Sequence, residues 1–179
     1  MDFTEKTVSS EEIFQGRVVH LYRDVITLPN GHTSTREVIR HQGAVCVVPV
    51  TDAGEVLMVR QFRYPFRRMM LEAPAGKVDP GEDPDAAAVR ELSEETGATA
   101  DELNYVGDFY PSVAYTDEVI RLYIAKGLHF SDMHTDEDEF LQLERIPLGE
   151  LVELVLSGAI PDGKTQTAIL KAWLFEQRG

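Results

Sequence analysis

The chain has 179 residues, of which 43% are hydrophobic, and its 17 basic and 31 acidic side chains give a formal net charge of −14 at pH 7. This length suits one globular domain with a sizeable core and a small extension. The negative charge argues against nonspecific nucleic-acid binding and against anionic membranes, because both need a basic surface.

The single cysteine, Cys46, lies in the apolar run AVCVVPV. This position favours a buried structural thiol over a nucleophile, and one cysteine cannot form an internal disulfide. We recognise no signal peptide and no apolar run long enough to span a bilayer. These features predict a soluble cytoplasmic protein.

The first part of the chain is predicted to form a small antiparallel β-region. Residues 1–12 are polar and are expected to be partly loose. Two β-rich runs flank Asn30 and Gly31 and predict a hairpin, because Asn-Gly is typical of hairpin turns. We therefore expect an N-terminal β-hairpin region over residues 1–40 and a main domain over residues 41–179.

The main domain is predicted to be a mostly β body with a few helices packed on it. GAVCVVPV and EVLMVRQFRY predict a second hairpin, buried on both faces, and FLQLERI alternates like an edge strand. The other runs are the strands LNYVGDFYP and VIRLYIAKGL and the helices LGELVELVLSG and KTQTAILKAWLFEQ. The fold class predicted from this pattern is α+β.

A further helix is predicted in the middle of the chain. Asp83 can cap its start, and Gly97 can supply the left-handed residue that ends it. At 100° per residue, Val89, Leu92 and Thr96 share one side. We expect the helix to pack through this side.

The opposite side of that helix is predicted to carry three glutamates, Glu91, Glu94 and Glu95. Carboxylates at this spacing repel one another by about 0.2–0.5 kcal/mol per pair. Arg90 is the only basic residue between positions 82 and 102. A solvated helix face usually mixes charges, so the pattern favours a site for a hard divalent cation, which prefers carboxylate oxygens.

The stretch GKVDPGEDPDAAAVRELSEETGA resembles the Nudix box, a signature of glycines, glutamates and one arginine at fixed spacing. The matching residues are Gly76, Glu82, Arg90, Glu91, Leu92, Glu94, Glu95, Gly97 and Ala98, the last being small for an aliphatic position. The resemblance implies a Nudix fold, a mixed β-sheet core sandwiched by helices, with the small N-terminal antiparallel β-domain added. It also implies hydrolysis of a nucleoside diphosphate linked to another group.

The same resemblance implies a loop–helix–loop that holds Mg²⁺ or Mn²⁺, with two or three ions per site. Glu91 and Glu95 would be direct metal ligands, and Glu94 would ligate the metal or place a water. Arg90 would orient the glutamates through charged hydrogen bonds. Glu82 would steady the helix or contact the metal through water.

Sequences on both sides of the box resemble the ADP-ribose pyrophosphatase branch of the family. In APAGKVDPGE the backbone carbonyl of Ala75 would ligate metal. TREVIRHQGAV points to Arg36 and VRQFRYP to Arg63 as phosphate contacts, and YTDE points to Glu118 near the nucleotide end of the substrate. The implied reaction converts ADP-ribose to AMP and ribose 5-phosphate.

The general base is implied to lie on the acidic loop SDMHTDEDEF. Glutamates committed to metal are not free to accept a proton, so a separate acid is needed. Aligning the following strand with the family pattern favours Glu137, with Glu139 as the runner-up. The alternative is that this segment is a flexible charged loop with no catalytic role.

Ser112-Val113-Ala114 departs from the Ser-Pro-Gly that the branch usually has in a loop beside the substrate pocket. Another nucleoside diphosphate sugar, or a flavin or nicotinamide dinucleotide, is therefore an alternative substrate. Two other classes remain open, namely a pyrophosphohydrolase of nucleoside triphosphates and a non-catalytic nucleotide-sensing module.

The N-terminal β-region resembles the small β-domain that relatives in this branch exchange between two subunits. In those relatives the exchanged region contributes to the substrate site of the other subunit. The resemblance implies a symmetric homodimer. The strand-rich segment is short, which agrees with a region that needs a second surface to cover it.

Overall fold

The computed structural model describes residues 2–131 and 140–178. None of the helices in this part of the chain is long and apolar enough to cross a membrane. Its strands and helices are, in chain order, β1 (Lys6–Gln15), β2 (His20–Thr27), β3 (Thr33–Arg40), β4 (Ala44–Pro49), β5 (Glu55–Arg63), β6 (Arg68–Glu72), β7 (Ala75–Lys77), α1 (Pro84–Thr96), β8 (Ala98–Phe109), β9 (Ile120–Phe130), β10 (Gln142–Pro147), α2 (Leu148–Leu156) and α3 (Gly163–Glu176).

The chain divides into two compact units. The first comprises Met1–Gly43 and Tyr110–Val119, and the second comprises Ala44–Phe109 and Ile120–Gly179. Each unit contains its own sheets. The glutamates of α1 belong to the second unit, and each unit is described separately below.

The first unit contains a three-stranded antiparallel sheet in the order β1-β2-β3. The predicted hairpin is confirmed: β2 and β3 pair around a turn in which Gly31 has a φ of 82° and its N–H donates to the carbonyl of Leu28. The expectation that residues 1–12 are partly loose is wrong from Lys6 onward, because β1 begins there and pairs along β2; residues 2–5 belong to no strand or helix. All ten β1 residues are exposed, so backbone hydrogen bonding rather than burial accounts for this strand.

The second unit contains two sheets, β10-β5-β6 and β7-β4-β9-β8. The predicted second hairpin is wrong, because β4 and β5 belong to different sheets and are joined by an isolated bridge between Val50 and Val56. The turn between these strands redirects the chain from one sheet to the other. The predicted edge position of FLQLERI is confirmed by β10, which pairs with β5 at the end of its sheet.

Strand β4 lies at the centre of the second unit and is buried on both faces. Val45 and Val47 pack into the apolar cluster that includes α1, while Cys46 and Val48 pack into the cluster that includes α2 and α3. Successive side chains of a strand point to opposite faces, so one strand contributes to both clusters. This arrangement confirms a mixed sheet sandwiched by helices.

Helix α1 begins and ends as predicted. The Asp83 carboxylate accepts a hydrogen bond from the N–H of Asp85, and Gly97 ends the helix with a φ of 65°. The predicted burial is partly wrong, because Val89 is 49% exposed whereas Glu95 is only 3% exposed. The small residues Ala87 and Ala88 are fully buried there instead, which turns the helix so that one glutamate faces inward.

Candidate metal-binding and hydrolytic site

Strand β7 passes directly beside the glutamate face of α1. A Cβ atom placed on Gly76 would lie 2.0 Å from the carboxylate carbon of Glu91. No side chain fits at that distance, so the residue at position 76 must be glycine for Glu91 to keep this position. The first glycine of the box therefore permits a carboxylate to lie over the backbone of β7.

Arg90 binds three of the box glutamates. Its Nε and Nη2 donate to the two oxygens of Glu82 at 2.9 and 3.0 Å, and its Nη1 donates to Glu91 at 2.7 Å and to Glu94 at 2.9 Å. Nη2 also donates to the carbonyl of Lys77 at 3.0 Å. The arginine thus holds helix α1 and strand β7 together.

The hydrogen bonds of Arg90 keep Glu82 ionised. They are the main cause that lowers the pKa of Glu82 to about 2, and the N–H of Asp79 acts in the same direction. In turn, the hydrogen bond to Glu82 is the largest cause that raises the pKa of Arg90. Glu82 therefore closes the loop before α1 onto the helix by a charged, bidentate contact.

Glu95 reaches the backbone from the buried side of α1. Its Oε2 accepts a hydrogen bond from the N–H of Ala75 at 3.1 Å. Ala75 and Gly76 are consecutive residues of β7. Ala75 contacts Glu95, and Gly76 lies beside Glu91. Sequence periodicity alone does not indicate that Glu95 is the buried one of the three.

The structure therefore brings together the charged box residues that the sequence analysis singled out, and it places Ala75 beside them. They form one cluster, which we call the Arg90 cluster: Ala75, Glu82, Arg90, Glu91, Glu94 and Glu95. The cluster contains four carboxylates and one guanidinium, so it has a formal excess of three negative charges. Within residues 2–131 and 140–178, no three acidic, histidine or cysteine side chains are arranged to enclose a metal ion, and three of these carboxylates instead contact Arg90.

Arg63 lies in a second cluster, which sequence reasoning did not identify. Its guanidinium makes a bidentate contact with the buried Glu72 carboxylate, 2.7 Å for each hydrogen bond. Lys164 donates to the same carboxylate at 2.6 Å and to Asp162 at 2.8 Å. We call these four residues the Arg63 cluster. Its members come from β5, β6 and the start of α3, so no local motif in the sequence could have indicated it.

Two other predicted substrate contacts lie in the first unit. Arg36 on β3 forms a salt bridge with Glu5, with Nε donating to Oε2 at 3.0 Å. The Glu118 carboxylate lies 3.8 Å from Nε2 of His41. The predicted general base, Glu137, and its runner-up, Glu139, lie outside the described residues.

Comparison with known families identifies the class of protein. The model of the NUDIX domain matches residues 40–167, and the model described as the nucleoside diphosphate sugar hydrolase N-terminal domain matches residues 5–39. The chain therefore belongs to the Nudix family, which confirms the resemblance inferred from the box.

Individual relatives are similar over most of the chain. It is 44% identical to an ADP-ribose pyrophosphatase of Bacillus subtilis, over 92% of this chain and 90% of the relative. It is also 44% identical to a methanol dehydrogenase activator of Bacillus methanolicus, over 93% and 91% of the two chains. A crystal structure of an ADP compounds hydrolase has a TM-score of 0.87 with 24% identity, covering 99% and 98% of the chains, which confirms the fold.

Proposed function

We propose that this protein hydrolyses the diphosphate linkage of ADP-ribose, or of a closely related nucleoside diphosphate sugar, in a reaction that needs a divalent metal ion. The Arg90 cluster carries the proposal, because it concentrates negative charge beside a bare backbone position at Gly76. The names of similar proteins support the substrate class. They include ADP-ribose pyrophosphatases, and GDP-mannose pyrophosphatases that are 33% identical over 70% of the chain.

The donor set fits a hard divalent cation. Carboxylate and backbone carbonyl oxygens are the ligands that Mg²⁺ and Mn²⁺ prefer. We propose that Glu91, Glu94, Glu95 and the carbonyl of Ala75 hold two or three Mg²⁺ ions, with Glu82 supporting them. When bound, the metal neutralises the diphosphate and lowers the pKa of the attacking water.

Each of the protein side chains has a distinct role in this proposal. Arg90 orients Glu91 and Glu94 through the contacts described above, and it spaces carboxylates that would otherwise repel one another. Arg63 and Arg36 contact the phosphates, and Glu118 contacts the nucleotide end. At a net charge of −14, these arginines and the metal are what offset the repulsion of an anionic substrate.

We further propose that Glu137, or else Glu139, accepts a proton from the attacking water. The box glutamates are committed to Arg90, to the backbone of β7 and to metal, so a separate carboxylate has to act as the base. The expected products from ADP-ribose are AMP and ribose 5-phosphate.

We also propose a cytoplasmic homodimer. Residues 1–40 would form the exchanged dimerisation region, and residues 41–179 would form the hydrolase domain. The outer strand of the first unit supports this: every residue of β1 is exposed, including Val8 at 65% and Phe14 at 57%. An edge strand of this kind presents both unpaired backbone groups and apolar side chains to a second copy.

The test is a substrate panel assayed with Mg²⁺, in which wild type is compared with Glu95→Gln. The panel contains ADP-ribose, GDP-mannose, NADH, FAD and nucleoside triphosphates. We expect ADP-ribose to have the highest kcat/KM and to yield AMP. Release of pyrophosphate from a triphosphate at higher kcat/KM would contradict the proposed substrate class, and binding without any turnover would indicate a nucleotide sensor.

A second candidate substrate class is favoured by the loop at Ser112-Val113-Ala114. This segment belongs to the first unit, and Val113 is 86% exposed. A valine in place of proline there changes a loop that borders the substrate pocket in the branch. If NADH or FAD leads the panel, the metal chemistry is retained and this loop has redirected the choice of substrate.

A further inference from the structure

The buried carboxylate of Glu72 is held by cations on two sides. Its side chain is 2% exposed, and it accepts hydrogen bonds from Nε and Nη2 of Arg63 and from Nζ of Lys164. Burial raises the pKa of Glu72, but the hydrogen bonds from Arg63 and the charge of Lys164 outweigh that effect and lower the pKa to about 2. The carboxylate is therefore a permanent anion with a fixed orientation.

This contact determines which edge of Arg63 faces outward. Glu72 occupies the Nε edge of the guanidinium, and 40% of the Arg63 side chain stays exposed. A planar guanidinium donates in fixed directions, so fixing one edge also fixes the direction of the other. Glu72 thus sets the orientation in which Arg63 can meet an anion.

Lys164 in turn fixes the position of Glu72. Only 11% of the Lys164 side chain is exposed, and its Nζ bridges Glu72 and Asp162. Asp162 caps α3 by accepting a hydrogen bond from the N–H of Thr165 at 3.0 Å. The lysine is therefore anchored at the start of a helix, which is a rigid support.

The same helix start also holds the segment that leads into the box. The hydroxyl oxygen of Thr165 accepts a hydrogen bond from the N–H of Ala73 at 3.0 Å. Ala73 is two residues before Ala75, whose N–H contacts Glu95. Glu72 of the Arg63 cluster directly precedes Ala73, so it lies only three positions before Ala75 of the Arg90 cluster.

From these contacts we infer that Lys164 is a positioning residue for substrate binding: through Glu72 it orients the Arg63 guanidinium toward the anionic part of the substrate. This inference rests on the proposed function for the substrate's identity. In this inference Lys164 acts through Glu72 and not by contacting the substrate. Without its charge, the buried Glu72 carboxylate and the partly buried Asp162 carboxylate would compete for one guanidinium, and Arg63 would be drawn from its present direction.

The kinetic test compares Lys164→Met with Lys171→Met in the full-length protein. Lys171 lies on the same helix and donates to the carbonyl of Val106, so its variant also loses a lysine contact but leaves the Arg63 cluster intact. We expect Lys164→Met to raise the KM for ADP-ribose about tenfold, with kcat within about threefold of wild type. Lys171→Met should leave both parameters within twofold.

A double-mutant cycle shows whether the effect passes through Arg63. In an Arg63→Lys background, Lys164→Met should raise KM by less than about twofold, since the guanidinium it orients is gone. Lys164→Arg keeps the charge and should recover most of the wild-type KM. A full tenfold effect in the Arg63→Lys background, or none in the wild-type background, would overturn the inference.

An NMR measurement separates this inference from the proposed function. The Nε–H signal of Arg63, assigned by its loss in Arg63→Lys, should exchange with water at least tenfold faster in Lys164→Met and in Glu72→Gln than in wild type. Lys171→Met should not change it. If wild type fails to hydrolyse ADP-ribose but this signal depends on Lys164, the proposed function fails and the positioning holds; an unchanged signal overturns the positioning. Should Lys164→Met not fold, Glu72→Gln tests the same contact, and an unchanged exchange rate of the Arg63 Nε–H in that variant overturns the positioning.

Discussion

The Arg90 cluster and the Arg63 cluster both place carboxylates around an arginine, yet their charge balances differ. In the first, four carboxylates are grouped with one guanidinium, which contacts three of them, and the side chain of Glu94 is 38% exposed. In the second, two carboxylates match two cations around a Glu72 side chain that is 2% exposed. Buried charges persist when they are paired, whereas a group of carboxylates with excess negative charge and at least one exposed member is suited to bind a cation from solution. The charge balance therefore distinguishes the Arg90 cluster, which is suited to bind a cation, from the Arg63 cluster, which holds an arginine in place.

The largest effect is expected from removing one carboxylate of the unbalanced cluster. Glu95→Gln should lower kcat/KM by about 100-fold or more, because the amide oxygen is a poorer metal ligand and one of the negative charges that hold the cation is lost. Steady-state assays across Mg²⁺ concentrations measure the loss of kcat/KM in Glu95→Gln. The exposed Glu102→Gln is the matched control, and equal losses in both variants would contradict the assignment.

Gly76→Ala should lower kcat/KM by about 10- to 100-fold with little loss of stability. The added Cβ meets the end of the Glu91 side chain rather than backbone, so Glu91 moves away and the fold persists. Kinetics and thermal unfolding of the same sample measure the two effects. Gly149→Ala is the control, since the nearest atom to its Cβ is 3.8 Å away. A large drop in Tm with full activity would contradict this prediction.

Mg²⁺ should stabilise the wild type and the Glu72→Gln variant but not Glu95→Gln. A ligand at 100 times its Kd adds about 2.7 kcal/mol to the unfolding free energy, which is a rise in Tm of about 5 °C or more for a chain of this size. Scanning calorimetry with and without Mg²⁺ measures the shift. A shift that depends on Glu72 instead would reverse the distinction between the two clusters.

Glu72→Gln should remove a pH dependence of stability. The pKa of Glu72 is about 2 in the folded chain against 4.5 ordinarily, so its stabilising effect is complete above about pH 4.5 and is lost as the pH falls toward 2. The difference in unfolding free energy between wild type and variant should therefore shrink by about 2 kcal/mol between pH 6 and pH 3. Denaturant titrations measure it. Lys171→Met, which removes no acid, should show no such trend.

The smallest effect is expected at a surface pair. Arg60 and Glu144 join β5 to β10, with Nη2 and Oε2 3.2 Å apart, and both side chains are partly exposed. Arg60→Gln should cost about 0.5 kcal/mol, since exposed pairs are screened by water. Chemical denaturation measures this, and a cost as large as that of Glu72→Gln would show that charge balance and burial do not separate the clusters.

The sequence predicts local features of this fold well. Helix α1 is bounded as expected because Asp83 and Gly97 act through their own backbone geometry, and the β2–β3 hairpin follows from Asn30 and Gly31. The spacing of the box identifies the Arg90 cluster because Glu91, Glu94 and Glu95 lie within two turns of one helix. These features depend on neighbours in the chain.

The features that were missed depend on distant partners. The exposed strand β1 pairs with β2 despite its polar sequence. Strands β4 and β5 belong to different sheets, although they are neighbours in the chain. The burial of Glu95 follows from how tightly the alanines of α1 pack on the sheet. Lys164 meets Glu72 across 92 positions of sequence, so no pattern in either segment could have indicated the contact.

Cys46 has a practical consequence. It is fully buried in β4, and burial raises the pKa of its thiol to about 12. Thiol reagents react with the thiolate, so they will leave the folded protein unmodified. A cysteine introduced at an exposed position such as Phe66 would then be the single reactive thiol, and fluorophores or spin labels could be attached there without first removing the native residue.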